Sequence, residues 1–126
     1  MPQIEDLIQK FEEFQMACKT ILPGVDRRLI EDLILHQQED PSIEYMYKIE
    51  TFTKKGADVN KIKKAILDKT GMVPEVYDSG THYVINHKLT LEMLKEILLE
   101  GDEIILGIRG EYIGNVALKE SEHNYK

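Results

Sequence analysis

Residues 72–88, MVPEVYDSGTHYVINHK, decide which fold the rest of this sequence can adopt. Two runs rich in β-forming residues, VPEVY and HYVIN, flank the segment Asp78–Thr81. Asp78 or Ser79 can close a turn through its side chain, and Gly80 tolerates a positive φ. The stretch therefore predicts a β-hairpin in which Ser79 and Gly80 form a two-residue turn.

Helical patterns lie on both sides of this hairpin, and a strand pattern lies beyond each of them. Asp58 is placed to cap a helix that runs to about Lys69, and Thr90 is placed to cap residues 91–100. Residues 42–52, SIEYMYKIETF, alternate with a period of two, so Tyr45 and Tyr47 are predicted to point inward. Residues 103–113, EIILGIRGEYI, form the last predicted strand.

Two finer predictions concern this last strand and the residues after it. Alternation places Ile104, Leu106 and Ile108 on one face and Ile105, Arg109 and Glu111 on the other. The pair Gly114-Asn115 is predicted to turn the chain back into a short extra strand.

From residue 42 the predicted order is strand, helix, strand, strand, helix, strand. This order is typical of the ferredoxin-like fold, an α+β arrangement with both helices on one face of an antiparallel sheet. Right-handed crossovers place its first and third strands in the centre. The fold hosts many unrelated activities, so it predicts no function by itself.

Two further helices are predicted before this core. Apolar residues recur every three or four positions from Ile4 to Leu22, Pro23-Gly24 ends that helix, and Asp26 is placed to cap a second helix that runs to about Gln38. We therefore expect one domain, residues 1–126, with a helical hairpin over 1–38 and the ferredoxin-like core over 42–119. The apolar stripe is too large to leave in water, so residues 1–38 are predicted to pack on the core or across a dimer.

Composition limits the possible functions. The 126 residues are 42% hydrophobic and 31% charged, with a net charge of −7, and this acidity argues against nucleic-acid binding. No apolar run approaches the roughly 20 residues of a membrane-spanning helix, and the acidic N-terminus does not resemble a signal peptide, so a cytoplasmic location is expected. The single cysteine, Cys18, lies on the apolar stripe and is interpreted as a buried hydrophobe. His36 is interpreted as a favourable charge at a helix C-terminus.

The predicted hairpin register pairs Tyr77 with His82 and Glu75 with Val84 on the sheet face that the helices leave open. Arg109 and Lys48 could hold an anionic metabolite there, and His82 could exchange protons. The full predicted ligand-binding patch is Lys48, Glu50, Tyr77, His82, Asn86 and Arg109.

An apolar strip of Met46, Val84 and Ile105 is predicted to cross this polar patch. Such strips are usually covered, here by the N-terminal helices or by a second copy of the protein. The plainer interpretation is a solvated sheet face whose charges serve solubility and cross-strand pairing.

Common catalytic and cofactor-binding signatures are absent from the sequence, and neither a metal site nor a cofactor is predicted. The leading hypothesis is a small non-enzymatic binding or regulatory module that acts on a partner protein or by self-association, with a dimer as the expected oligomer. The alternative from another class is an enzyme or a sensor of an anionic metabolite that uses the polar patch. RNA binding through Gly107–Gly110, which matches a GxxG motif, is a weaker third hypothesis.

Overall fold

Four helices and a four-stranded antiparallel sheet form the part of the chain that the computed structural model describes, residues 1–101 and 103–117. The architecture is α+β, as predicted. The helices are α1 (Ile4–Ile21), α2 (Arg27–Glu39), α3 (Val59–Thr70) and α4 (Leu91–Glu100). The strands are β1 (Ile43–Thr53), β2 (Glu75–Tyr77), β3 (His82–Lys88) and β4 (Ile105–Ala117). Residues 118–119, the end of the predicted core, lie outside the described residues.

Helices α2, α3 and α4 begin at capping residues that the sequence marks. The side chains of Asp26, Asp58 and Thr90 each accept a hydrogen bond from a backbone N–H two or three residues further on. These bonds satisfy amide groups that the first helical turn leaves unpaired. Gly71 ends α3 in the left-handed conformation, with φ at 73°.

The sheet has the strand order β2-β3-β1-β4, so β1 and β3 occupy its centre. All three strand pairs are antiparallel. The hairpin has the predicted register, with Tyr77 opposite His82. Its turn is longer than predicted. Asp78, Ser79 and Gly80 all have positive φ, at 53°, 59° and 92°, so none of them continues a strand. Four residues rather than two therefore connect β2 with β3, while the pairing beyond them is unchanged.

One hydrophobic core lies between the sheet and the helices. Alternate residues of β1, including Tyr47 and Ile49, are buried on the helix-covered face, as the period of two predicts. They pack in one cluster with buried residues of α2, α3 and α4, among them Leu29, Ile62 and Leu94. All four helices thus contribute side chains to the core on one face of the sheet, and the other face is open.

Strand β4 departs from simple alternation at two bulges. Leu106 is an extra residue, because Ile105 pairs with Thr53 whereas Gly107 pairs with Phe52. The placement of Ile105 on the open face was therefore wrong: its side chain lies on the helix side, against Gly101. Leu106 is exposed instead of sharing the buried face of Ile108.

The second bulge lies where the sequence predicts a turn at Gly114-Asn115, and that prediction was also wrong. β4 continues to Ala117. Ile113 has no partner on β1, and the pairing resumes at Gly114, which lies opposite Met46. The 11-residue length of β1 supplies partners along the whole segment, so the chain gains more backbone hydrogen bonds by continuing than by turning.

The connection between α1 and α2 lies along the outer edge of β4. The Asp26 N–H donates to the Ile108 carbonyl at 2.8 Å, and the Ile108 N–H donates to the Gly24 carbonyl at 3.0 Å. A Cβ on Gly24 would lie 2.8 Å from the Leu106 carbonyl oxygen, and its φ is 79°, so this close approach requires glycine. The contact covers part of an edge strand that would otherwise be open to pairing.

Helix α2 and the second half of α1 pack on the rest of the molecule, as predicted for residues 1–38. Leu29 and Ile30 of α2 are buried, and so are Cys18 and Leu22 near the end of α1. Cys18 is therefore a buried hydrophobe, and burial raises the pKa of its thiol. The first half of α1 differs, because its apolar residues remain between 43% and 71% exposed.

Candidate functional site

The open sheet face brings all six residues of the predicted ligand-binding patch onto one surface. Lys48 lies opposite Asn86, Glu50 lies opposite Arg109, and Tyr77 lies opposite His82. The period of two along β1 and the hairpin register place them there. The geometric part of the prediction therefore agrees with the structure, whereas ligand binding by these residues stays a prediction.

The carboxylate of Glu50 is the centre of this patch. It accepts a hydrogen bond from the Arg109 guanidinium and lies 3.4 Å from the Lys48 ammonium. His82 Nε2 lies 4.0 Å from the same carboxylate, and His82 Nδ1 lies 3.6 Å from Asp78. The Arg109 hydrogen bond holds the pKa of Glu50 below its usual value.

Phe52 is a member of this site that was not predicted. Its ring stacks on His82 at 4.6 Å, and the Arg109 guanidinium carbon lies 4.9 Å from its centroid. Phe52 thus holds both polar side chains in place through aromatic and cation–π contacts. The same alternation that placed Lys48 and Glu50 on this face would have placed Phe52 there.

The charges of the patch are compensated within the protein. Glu50 already supplies an anion to Arg109 and Lys48, and the Tyr77 hydroxyl donates to Glu75, which raises the pKa of Tyr77. A cavity of about 250 Å³ beside Glu50 is lined by one lysine, one arginine and three carboxylates: Asp26, Lys48, Glu50, Arg109, Gly110 and Glu111. A bound anion would have to displace an existing partner and approach other carboxylates. Apart from His82 Nε2, which is buried without a hydrogen-bond partner among the described residues, this arrangement is that of a paired surface network, so the geometry adds little support to an anion site.

A second polar cluster lies on the helix side of the sheet and was missed. The buried Tyr47 hydroxyl donates to Asp32 at 2.8 Å and lies 2.6 Å from His36 Nδ1. A hydroxyl has one proton, which goes to Asp32, so Nδ1 donates the second hydrogen bond. Burial, followed by the bond to Asp32, raises the pKa of Tyr47.

His36 therefore has a different role from the one its position at a helix end suggested. Its ring stacks on Tyr45 at 4.2 Å with an interplanar angle of 3°, and Tyr112 lies against it at 4.6 Å. The spacing of Asp32 and His36 by one helical turn, facing an inward Tyr47, was the available signal. The cluster fixes α2 on β1, and every polar atom named here has a partner.

The third feature is an apolar stripe on the first half of α1, formed by Ile4, Leu7, Ile8 and Phe11. Their exposed fractions are 71%, 68%, 53% and 43%. Phe11 makes one cation–π contact with Arg27, at 5.0 Å. We call this surface the α1 stripe. It is the largest run of exposed apolar side chains on any one helix within the described residues.

An apolar groove lies beside the second half of the same helix, between α1, α2 and α4. Its volume is about 260 Å³. We call it the α1–α2–α4 groove, and its main apolar lining is Phe14, Cys18, Ile21, Ile30, Ile34 and Leu91. The α1 stripe and this groove are adjacent along one helix, and apolar surfaces of this kind mark interaction sites.

Two further observations concern metal ions and membranes. Over residues 1–101 and 103–117, no group of three or more histidine, cysteine, aspartate or glutamate side chains is placed to hold a metal ion. None of the helices in the described part of the chain has the length and apolar character needed to cross a membrane.

Comparison with models of protein families, with curated proteins and with solved structures found no match to this chain.

Proposed function

We propose that this protein is a small non-enzymatic module that acts through protein–protein contact, and that it binds a second copy of itself through the α1 stripe. The observation that carries this proposal is the exposure of four large apolar side chains, Ile4, Leu7, Ile8 and Phe11, on a helix whose other half is part of the core.

The cost of leaving this stripe in water is large for a domain of this size. Full burial of one such side chain contributes about 1.5–3 kcal/mol, so the exposed fractions correspond to roughly 4–7 kcal/mol per copy. A typical domain has a net stability of only about 5–15 kcal/mol. An apolar surface whose burial would contribute this much free energy is one that a partner covers.

A second copy is the partner that the molecule itself supplies. The α1 stripe and the α1–α2–α4 groove are both apolar and both belong to the same chain. A pair of copies therefore has two such stripes and two such grooves. When a two-fold axis relates the two copies, contacts of this kind produce a closed dimer.

The test is the mass in solution of the full chain and of two variants. Leu7→Lys places a charge in the stripe, and Leu99→Lys places the same charge on α4, where Leu99 is 69% exposed. Light scattering after size exclusion should show a dimer for the wild type and for Leu99→Lys, and a monomer for Leu7→Lys. A wild type that is monomeric at every concentration would overturn the proposal.

We also propose that residues 42–117 have the ferredoxin-like arrangement and that residues 1–38 are an N-terminal helical hairpin attached to it. The central position of β1 and β3 and the placement of α3 and α4 in one core support the first part. The presence of Cys18 and Leu22 in the same buried cluster as Leu29 and Ile30 of α2 supports the second. Amide-to-amide NMR contacts across Glu50–Val84 and Glu50–Arg109 would test the strand order directly.

A further inference from the structure

We infer that the cavity where the end of α1 meets the start of α2 binds a phosphate group, either inorganic phosphate or that of a small ester, between Lys19 and Arg27. The cavity has a volume of about 220 Å³ and is lined by both of these cations. Within the described part of the chain, no aspartate or glutamate is among its lining residues. The inference goes beyond the proposed function and does not depend on self-association.

The charge of this cavity differs from that of the cavity beside Glu50. There the cations Lys48 and Arg109 already have the Glu50 carboxylate as a partner, and the lining contains three carboxylates. Beside Arg27, in contrast, the Glu31 Oε1 atom lies 4.0 Å from Nε, which is too far for a hydrogen bond. An anion can therefore bind Arg27 without displacing a carboxylate that is already hydrogen-bonded to it.

The Arg27 side chain has an unpaired donor. Its Nε–H is shielded from solvent and has no hydrogen-bond acceptor among the described residues. A shielded donor without a partner costs free energy, and more so when the group is charged. The guanidinium carbon lies over the Phe11 ring, 5.0 Å from its centroid, a contact that uses no N–H. A rotation of the side chain toward the cavity would let Nε–H and an Nη–H bind two oxygens of one phosphate, which is the geometry that arginine favours.

The other polar groups of the cavity also suit an anion. Gln15 lines it one helical turn before Lys19, and its amide supplies a further N–H donor. The Cys18 carbonyl oxygen, which would repel an anion, already accepts the Leu22 N–H at 2.9 Å. The cavity therefore has an ammonium, a guanidinium and an amide as donors. A phosphate has more acceptor oxygens than a carboxylate and can bind all three groups at once.

The first turn of α2 lacks the negative charge that a helix N-terminus favours. It contains Arg27 and Arg28 and no acid, whereas the first turns of α1 and α4 contain acids. The N-cap residue Asp26 accepts the Arg28 N–H and lines the other cavity, beside Glu50. A phosphate between Lys19 and Arg27 would supply negative charge at this end of α2.

The experiment follows the arginine Nε–H signals of the full chain by NMR, at constant ionic strength, during titration with inorganic phosphate, glycerol phosphate or acetate. The Arg27 signal, assigned by its loss in Arg27→Gln, should shift and saturate with a phosphate dissociation constant of about 1 mM or below. The Arg28 signal should not shift. Acetate should bind at least about tenfold more weakly than phosphate. Tighter binding of glycerol phosphate than of inorganic phosphate would identify a phosphate ester as the ligand.

Matched variants separate a site from general charge attraction. Followed through the backbone amide signals of the cavity, Arg27→Gln and Lys19→Gln should each weaken phosphate binding at least about tenfold. Arg28→Gln removes the same charge one residue outside the cavity and should weaken binding less than about twofold. Circular dichroism should show unchanged helix content for all three variants.

Three results would overturn the inference. The first is an Arg27 signal that does not move in up to about 20 mM phosphate. The second is equal weakening by Arg27→Gln and Arg28→Gln, which indicates screening of surface charge only. The third is acetate binding as tight as phosphate binding. None of these results bears on self-association, which is tested separately by the mass in solution.

Discussion

Gly110 allows helix α2 to lie directly on strand β4, and one added methyl group tests that packing. Gly110 pairs with Ile49 on the helix-covered face, and a Cβ there would lie 2.9 and 3.1 Å from the two methyl carbons of Leu29. Leu29 is only 2% exposed, so it cannot turn toward solvent. Overpacking of this kind costs about 1–3 kcal/mol. For a chain of this length, Gly110→Ala should lower the melting temperature by roughly 4–12 °C.

The predicted cause is contact with Leu29, so Leu29→Ala should relieve it. Leu29→Ala alone should cost about 2–5 kcal/mol through the cavity that it leaves. The double variant should lose less than the sum of the two single losses, with a coupling of about 1 kcal/mol or more. Gly107→Ala is the matched control on the same strand: its Cβ would lie 3.3 Å from the Gly24 carbonyl oxygen and not against Leu29, so Leu29→Ala should not relieve whatever stability this variant loses.

Urea unfolding of these proteins, followed by circular dichroism at one protein concentration, gives the free energies that the comparison needs. Two results would contradict this account of α2 docking. One is a Gly110→Ala variant as stable as the wild type. The other is strict additivity of Gly110→Ala and Leu29→Ala.

Two further predictions concern the polar clusters. The lowered pKa of Glu50 stabilises the folded protein above the pKa of the unfolded carboxyl, about 4.3, and that contribution is lost as the pH falls through the folded value. The free energy of unfolding should therefore fall more steeply from about pH 5 to pH 3 for the wild type than for Glu50→Gln; equal slopes in urea titrations would refute this. Tyr47→Phe removes a hydroxyl that bonds Asp32 and His36 and should cost about 1–3 kcal/mol. Tyr45→Phe removes only a 3.3 Å bond to the Asp40 carbonyl and should cost less than about 0.5 kcal/mol, so similar losses in thermal unfolding would count against the cluster.

Local chemistry made much of the fold predictable. Asp58 and Thr90 cap their helices because a side-chain oxygen satisfies amides that nothing else can reach. The pairing of Tyr77 with His82 follows from a run of alternating residues, since a one-residue slip would expose every buried side chain of the hairpin. That pairing also placed the six patch residues on one face.

The failures arose where distant parts of the chain decide the structure. The bulge at Leu106 lies where the α1–α2 connection pairs with β4, and no local pattern marks it. Ile105 changed faces for that reason. The Asp32–Tyr47–His36 cluster joins a helix to a strand, so its residues look unremarkable along the sequence. The stripe on α1 signals that some surface covers it, but periodicity does not say whether that surface belongs to the same copy.

The central claim is that the protein associates with itself through α1, and sedimentation equilibrium of the unmodified full chain tests it most directly. Over a series from low micromolar to submillimolar protein, the fitted mass should rise from the 14.6 kDa of one chain toward twice that value and then remain constant. The association should persist in high salt, because the interface is apolar. A mass that stays at that of one chain throughout the series would contradict the account.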